Sequence, residues 1–359
     1  MLTENELKHY QRQLILPEIG KEGQERLKNA KVLVVGAGGL GCPVLLYLAA
    51  AGVGHIGIVD FDHVDHTNLH RQVLFGYSSI GKKKAIIAKE KLVDINPNIE
   101  IATYLDGLLP SNSFDIISQY DLIVDCCDNF DTRYLINDTC VLLNKSWIFA
   151  SIYKFEGQVS VFNYNSGPTY RCLFPTPPQT EEVPNCSEIG VLGILPGIIG
   201  SFQANETLKL ILRTTHNLSG QLLCFNALTS ETRTFRITRK TKLPTDEMTK
   251  ESIISRSISI EFCELNDFNA NSIADIEQNF NQIIDLREVN EGVKLTINHL
   301  NIPYSELELR HSEIEMNQPV LLICASGKRS AAALQHLKKN HNYKNLKNLK
   351  NGILPFLKN

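Results

Sequence analysis

Positive charge is not in excess in this chain of 359 residues: 36 Lys and Arg stand against 39 Asp and Glu, a formal net charge of −3. Without a cationic surplus there is no sequence-blind attraction to a phosphate backbone or an anionic membrane, which argues against nucleic acid as a main partner. Paired cysteines are missing as well. Nine cysteines are scattered without framework spacing, so a disulfide-bonded secreted protein is not expected and a reducing cytoplasm is. Long apolar runs are also lacking. The stretch from Met1 to Tyr10 is polar, and the longest apolar segment is interrupted by glycines and His55, so neither an export signal nor a membrane span is expected. No internal repeat or low-complexity tract is visible. What is present is 43% hydrophobic and 21% charged residues, enough apolar material for two domains.

Lys31 to Gly36 is a short β-branched run ending in glycines, Leu40 to Ala51 is long enough for a helix, and His55 to Asp60 gives the next strand. The alternation continues with a helix from Lys83 to Ile95 closed by Pro97, a strand at Asp121 to Asp125, a helix over Thr132 to Leu143 and a strand at Trp147 to Ser151. Such a pattern predicts a mostly parallel sheet covered on both faces. After Gly157 shorter strands follow, at 157–163, 221–226 and 232–238, with an apolar helix over Leu195 to Leu212 between them. The fold class expected is α/β, a Rossmann-like ATP-binding domain with a mixed sheet extension plus a small α/β domain. Arg171 to Gly190, rich in proline, is expected as a functional loop. The polar stretch from Arg239 to Ser252 is expected as a linker. These readings put domains at 1–240 and 257–359, joined by a linker over 241–256.

Gly36-Ala37-Gly38-Gly39-Leu40-Gly41 fits G-x-G-x-x-G between a strand and a helix, and Asp60 ends the second strand 24 residues after Gly36. Glycines permit the tight turn and close backbone approach, the helix N-terminus favours phosphate, and a carboxylate there accepts from ribose hydroxyls. Alone, this motif suggests NAD. Around it, however, recur Asn68, Arg71, Lys82 to Lys84 and Asp125 to Asn129, more cations and carboxylates than hydride transfer needs and what cleavage of a triphosphate uses. Lys82 and Lys83 fit a solvated helix start better than a site. His63, His66 and His70 are not completed by further ligands into a metal site.

Two thiols stand out. Cys186 lies in the proline-rich loop, where a flexible connection can carry it to a bound acyl group. Cys324 closes a strand and begins the run Cys-Ala-Ser-Gly-Lys-Arg-Ser before a helix, so backbone N–H groups ring its sulfur. The helix N-terminus with Lys328 and Arg329 is expected to lower the thiol pKa and hold a thiolate or persulfide. The C-x5-R loop of phosphatases would put an arginine at 330, where Ser330 stands. Cys42, Cys126, Cys127, Cys140 and Cys224 lie in apolar elements and are expected to pack.

The segments HYQRQLILPEIG, VLVVGAGGLG, IVDFDHVDHTNLHRQVLF, IGKKKA, DCCDNFDTRY and NCSEIGVLGILPGIIG occur in the order of the MoeB/ThiF/HesA family, prokaryotic relatives of ubiquitin-activating enzymes, which residues 6 to 239 resemble. The resemblance implies ATP-dependent adenylation of the C-terminal Gly-Gly carboxylate of a small ubiquitin-fold sulfur carrier. It implies that Gly36, Gly38, Gly39 and Gly41 cradle the nucleotide with Asp60 on the ribose and Asn129 nearby. Asn68, Arg71 and Lys84 would face the phosphates, and Asp128 would bind Mg²⁺. Arg12 would reach a neighbouring subunit's site in a homodimer, and Cys186 would form a covalent carrier intermediate. The family's two Cys-x-x-Cys pairs are reduced here to Cys172, so no zinc site is expected. Residues 257 to 359 resemble the rhodanese family through Cys324 to Ser330, which implies Cys324 and Arg329 in sulfur transfer. Together they imply a thiocarboxylate-forming enzyme fed by a persulfide donor such as a cysteine desulfurase. A ThiS-type carrier would place it in thiamine biosynthesis and a MoaD-type carrier in molybdopterin biosynthesis. The rival expectations are an NAD-dependent oxidoreductase with an accessory rhodanese domain and a non-catalytic module docking a ubiquitin-fold partner.

Overall fold

The computed structural model describes residues 1–178, 190–255, 267–270, 272–288, 291, 295–325, 327–350 and 352–356. The chain divides into two compact units, Met1–Ser255 and Arg256–Asn359. No helix among the described residues is long and apolar enough to cross a membrane.

The first unit is built on eight strands: β1 (Lys31–Val35), β2 (His55–Val59), β3 (Glu100–Tyr104), β4 (Leu122–Asp125), β5 (Ser146–Tyr153), β6 (Glu156–Phe162), β7 (Gln221–Asn226) and β8 (Thr232–Arg236). Their order is β3-β2-β1-β4-β5-β6-β7-β8, parallel as far as β5 and antiparallel beyond it. Central β1 is apolar on both faces because both are covered: Val32 and Val34 join one cluster with Val44, Leu45 and Leu48, while Leu33 and Val35 join another with Trp147, Phe149 and Tyr170. The helices that place the site are α1 (Gly41–Ala51), α2 (Lys84–Ile95), α3 (Phe130–Leu142) and α4 (Leu195–Leu212). The chain order reverses between β1 and β4, and Val35 pairs with both Val59 and Asp125. The segments starting at Gly36, Asp60 and Cys126 therefore leave the sheet side by side, at the switch point where open α/β sheets bind ligands.

Three local expectations differ from the structure. Strand β3 escapes sequence reading because it is a short edge with Glu100 and Ala102 exposed and Ile101 buried. Helix α3 starts at Phe130, since the Asn129 side chain accepts from the Thr132 amide and caps it two residues earlier than expected. In the stretch expected as linker, Leu243 and Ile253 are buried in the cluster that holds Trp147, so that segment packs on the first unit.

The second unit holds a parallel sheet of β9 (Asp267–Phe268), β10 (Gln282–Asp285), β11 (Leu300–Asn301), β12 (Val320–Ile323) and β13 (Leu346–Leu349), in the order β11-β10-β12-β13-β9. All four residues of β12 are buried, and Cys324 follows it directly. Helix α5 (Lys328–His341) starts four residues later.

Candidate active site

The glycine loop is fixed by close approach. A Cβ at Gly36, whose φ is +100°, would lie 2.6 Å from the Cys126 carbonyl oxygen, and one at Gly41 would lie 2.0 Å from the Gly36 oxygen. Gly39 instead abuts Pro196 at the start of α4, with the Arg71 side chain beyond it. Asp60 closes the loop on the β2 side: Ala37 N–H donates to its Oδ2 at 2.7 Å and Asp62 N–H to its Oδ1 at 2.9 Å. Burial outweighs these donors and raises the Asp60 carboxyl above the ordinary aspartate value.

Lys84 opens α2 and is buried, with Nζ donating to Asp62 Oδ2 at 2.9 Å. Its ammonium is held beside the loop by a carboxylate to which the sequence reading gave no role. Arg71 is different. Its Nη1 donates to the Thr67 carbonyl at 3.0 Å, and it has no carboxylate partner among the described residues. Next to it Gln72 is 4% exposed and its Oε1 lacks any hydrogen-bond partner, while its Nε2 is 3.5 Å from where a Gly38 Cβ would sit. An orphaned buried amide against a glycine loop suits a polar ligand. Sequence reading missed Gln72 because the glycine loop it lies against comes from another element. Asn68 ends a short 3-10 turn, half-buried, near Arg71 in the chain.

Beyond β4, Asp125 is fully buried and held by Arg133, whose Nε donates to it at 2.9 Å and whose Nη2 donates to the Cys127 and Ala150 carbonyls. That pair fixes the strand end and frees Asp128, which is exposed with no hydrogen bond or ion pair among the described residues. Asn129 is occupied as the cap of α3. Arg12 is not brought to this group. It lies on the short helix Gln11–Leu14, lining a groove of about 280 Å³ with His9, Tyr47 and Ala51. Ala51 ends α1 and the glycine loop begins it, so about 15 Å of helix separates the two.

Cys186 lies outside the described residues. Cys42, Cys126, Cys127 and Cys140 are buried, and burial pushes the Cys42 thiol up to about 12 and raises the other three well above the ordinary thiol value. Cys172 Sγ accepts from the Thr169 and Lys240 amides, each at 3.4 Å, which ties it to two backbone segments.

In the second unit Cys324 is fully buried under its loop, and its sulfur accepts from Gly327 N–H at 3.1 Å, Ser330 N–H at 3.4 Å and Ser330 Oγ at 3.3 Å. Gly327 turns the loop at φ +84°. Three donors on one sulfur form a nest for an anion. Arg329 departs from expectation: its guanidinium is forked onto Glu291 and its pKa is raised by that hydrogen bond. Glu291 thus offsets the Arg329 charge, and backbone and Ser330 donors hold the sulfur. Asp285 and Arg287, both buried and paired at 2.7 Å, fix the end of the adjacent strand.

A parallel sheet with a glycine loop at its switch point, carrying a free arginine and a free carboxylate, defines a nucleotide-binding α/β protein, here with an anion-holding thiol loop in a second unit. The ThiF family model matches residues 10–245, and the chain belongs to that family. A rhodanese-like domain model matches residues 269–359. The chain is 48% identical over 259 residues to the sulfur carrier protein adenylyltransferase of Thermus thermophilus, covering 70% of this chain and 96% of the relative. It is 40% identical to the probable adenylyltransferase/sulfurtransferase MoeZ of Mycobacterium tuberculosis, over 99% of this chain and 94% of that one. It is 41% identical to the adenylyltransferase and sulfurtransferase MOCS3 of Culex quinquefasciatus, over 94% and 83%. Escherichia coli MccB shares the fold, with a TM-score of 0.58 at 22% identity over 68% of this chain and 72% of that one.

Proposed function

We propose that this protein is an adenylyltransferase and sulfurtransferase that activates the C-terminal Gly-Gly carboxylate of a small ubiquitin-fold sulfur carrier with ATP and converts it to a thiocarboxylate. The observation that carries the reading is the union in one chain of a nucleotide loop, served by the unpaired Arg71, with the amide-ringed thiol of Cys324. The carrier carboxylate is itself the nucleophile at the α-phosphorus and pyrophosphate leaves. The chain supplies alignment and positive charge: the glycine loop and Asp60 hold the nucleotide, Arg71 and Asn68 face the phosphates, and Lys84 joins them from its contact with Asp62. Asp128, an exposed hard oxygen ligand, fits Mg²⁺, which when bound neutralises triphosphate charge. Arg12, a helix length from its own loop, serves the loop of a second copy in a homodimer. Free buried thiols accord with a reducing cytoplasm.

For sulfur transfer, a donor such as a cysteine desulfurase loads Cys324 as a persulfide. The terminal sulfur attacks the acyl-adenylate and expels AMP, giving an acyl disulfide. The Cys186 thiolate then attacks Cys324 Sγ, releasing the carrier thiocarboxylate and leaving a Cys186–Cys324 disulfide for an external dithiol to reduce.

The test is ATP–pyrophosphate exchange with Mg²⁺ and a ThiS-type carrier, a MoaD-type carrier or none. Exchange that depends on one carrier is expected and distinguishes the thiamine from the molybdopterin route. Cys324→Ala keeps exchange and loses thiocarboxylate. Carrier binding without exchange sinks the adenylation reading, and turnover of NAD replaces it.

A further inference from the structure

Among the described residues, one group of metal-ligating side chains converges: the donor atoms of Glu308, His336 and His341 all lie within 4.8 Å of one another. We propose that Glu308, His336 and His341 form a surface site for a divalent ion of the zinc class, tying the C-terminal end of α5 to the short helix Leu307–Arg310. The inference is independent of the adenylation and sulfur-transfer reading. It also differs from the family's four-cysteine site, since its ligands are imidazole and carboxylate and all belong to the second unit.

His336 Nε2 is 2.5 Å from Glu308 Oε2, and His341 Nε2 is 3.3 Å from the same carboxylate. Tetrahedral zinc with ligand bonds of about 2.0 to 2.2 Å spaces its donor atoms about 3.3 Å apart, so a small outward turn of His336 opens room for the ion. Two imidazoles and one carboxylate are a common zinc donor set, and exposed Glu308 leaves the fourth position to water.

The surroundings orient the ligands. The His341 ring is stacked on His311, with centroids 3.8 Å apart and planes 27° from parallel. The other nitrogen of His336, Nδ1, is 3.1 Å from the Asn340 side-chain amide. With that amide turned over, its oxygen accepts from Nδ1–H, which fixes the tautomer whose Nε2 lone pair faces the ion. His341 is the last residue of α5, so the ion sits at the negative end of the helix dipole. The cation nearest in sequence to Glu308 does not compete for it, because Arg310 pairs with Glu306 at 2.9 Å and Glu313 at 2.6 Å. Cys324 lies at the opposite end of α5, a helix of 14 residues or about 21 Å, so the ion has a positioning and stabilising role rather than a part in the sulfur chemistry.

The full chain, freed of metal, is titrated with Zn²⁺ against a chromophoric chelator and separately with Co²⁺ followed by absorbance. The expected result is one Zn²⁺ per chain, a Co²⁺ spectrum without a thiolate charge-transfer band, and a metal-dependent rise in Tm. The double variant His336→Ala/His341→Ala loses that equivalent while keeping the metal-free Tm. Glu308→Gln weakens it with both imidazoles in place, and Asn340→Ala weakens it about tenfold through its outer-shell contact. No binding, binding that the double variant retains, or a thiolate band placing the ion on cysteines would each overturn the proposal.

Discussion

Burying Asp60 beside the glycine loop costs stability, and the cost depends on pH. Its folded pKa is raised above the ordinary aspartate value, chiefly by burial, so between the two values the folded chain binds more protons than the unfolded one. Stability from this group is therefore gained as pH falls through the folded value and withheld at neutral pH. In chemical unfolding of wild type and Asp60→Asn at pH 7 and pH 5, the difference should move in favour of wild type at the lower pH; movement the other way contradicts the assignment. Arg71 carries the opposite expectation, function without stability. Its hydrogen-bonding partners are the Thr67 carbonyl and the His70 ring, so Arg71→Ala should leave Tm within a degree or two while slowing carrier-dependent exchange about 10²- to 10³-fold, as loss of one transition-state donor does. A large Tm drop would recast Arg71 as structural. Gly36, Asp60 and Cys324 stand out in the sequence because each holds a fixed place in a motif: Gly36 opens the glycine loop, Asp60 ends the following strand and Cys324 begins its own loop. Asp62 and Gln72 could not, because the first gains its meaning from Lys84 across a 22-residue separation and the second from a loop formed 34 residues earlier.

Elements were legible where one periodicity ruled them. Strand β1 and helices α1 and α4 are apolar over most of their length and fall close to where hydrophobic pattern puts them, whereas β3 alternates weakly at an edge and carries no such mark. The end of β4 was harder still, since its acidic cluster conceals a division of labour: Asp125 is structural and Asp128 is free. Arg133 enforces that division, and its guanidinium also lies 5.1 Å over the Phe149 ring. Arg133→Met should therefore leave a buried carboxylate uncompensated and destabilise the first unit by about 3 to 5 kcal/mol. Asp125→Asn/Arg133→Met should recover a substantial part of that loss, because no charge then remains buried. Denaturant unfolding of the two variants decides the matter: equal losses would show that packing of the arginine stem, rather than the ion pair, holds the strand end.

At the scale of the whole molecule the question is where one folding unit ends. Composition argues for a linker after residue 240, because the stretch from Arg239 to Ser252 is polar and charged. Yet Leu243 within that stretch and Ile253 directly after it are buried with Leu33, Trp147 and Tyr170, and the compact unit runs on to Ser255. One leucine among polar residues and an isoleucine pair at their end do not make a periodic pattern, which is why composition alone reads the stretch as a linker. Their energetic weight is nevertheless large: fully burying two such side chains contributes about 3 to 6 kcal/mol, an upper estimate because unfolded chains already bury part of this surface. That is comparable with the net stability of an ordinary domain. A chain cut after Ser255 should therefore fold and keep carrier-dependent pyrophosphate exchange, while one cut after Lys240 should have a much lower urea midpoint or aggregate. If both fragments unfold at the same urea concentration, the segment is a tether. If only the longer one survives, it is the last layer of the adenylating unit, and the true connection to the thiol-bearing unit lies beyond it.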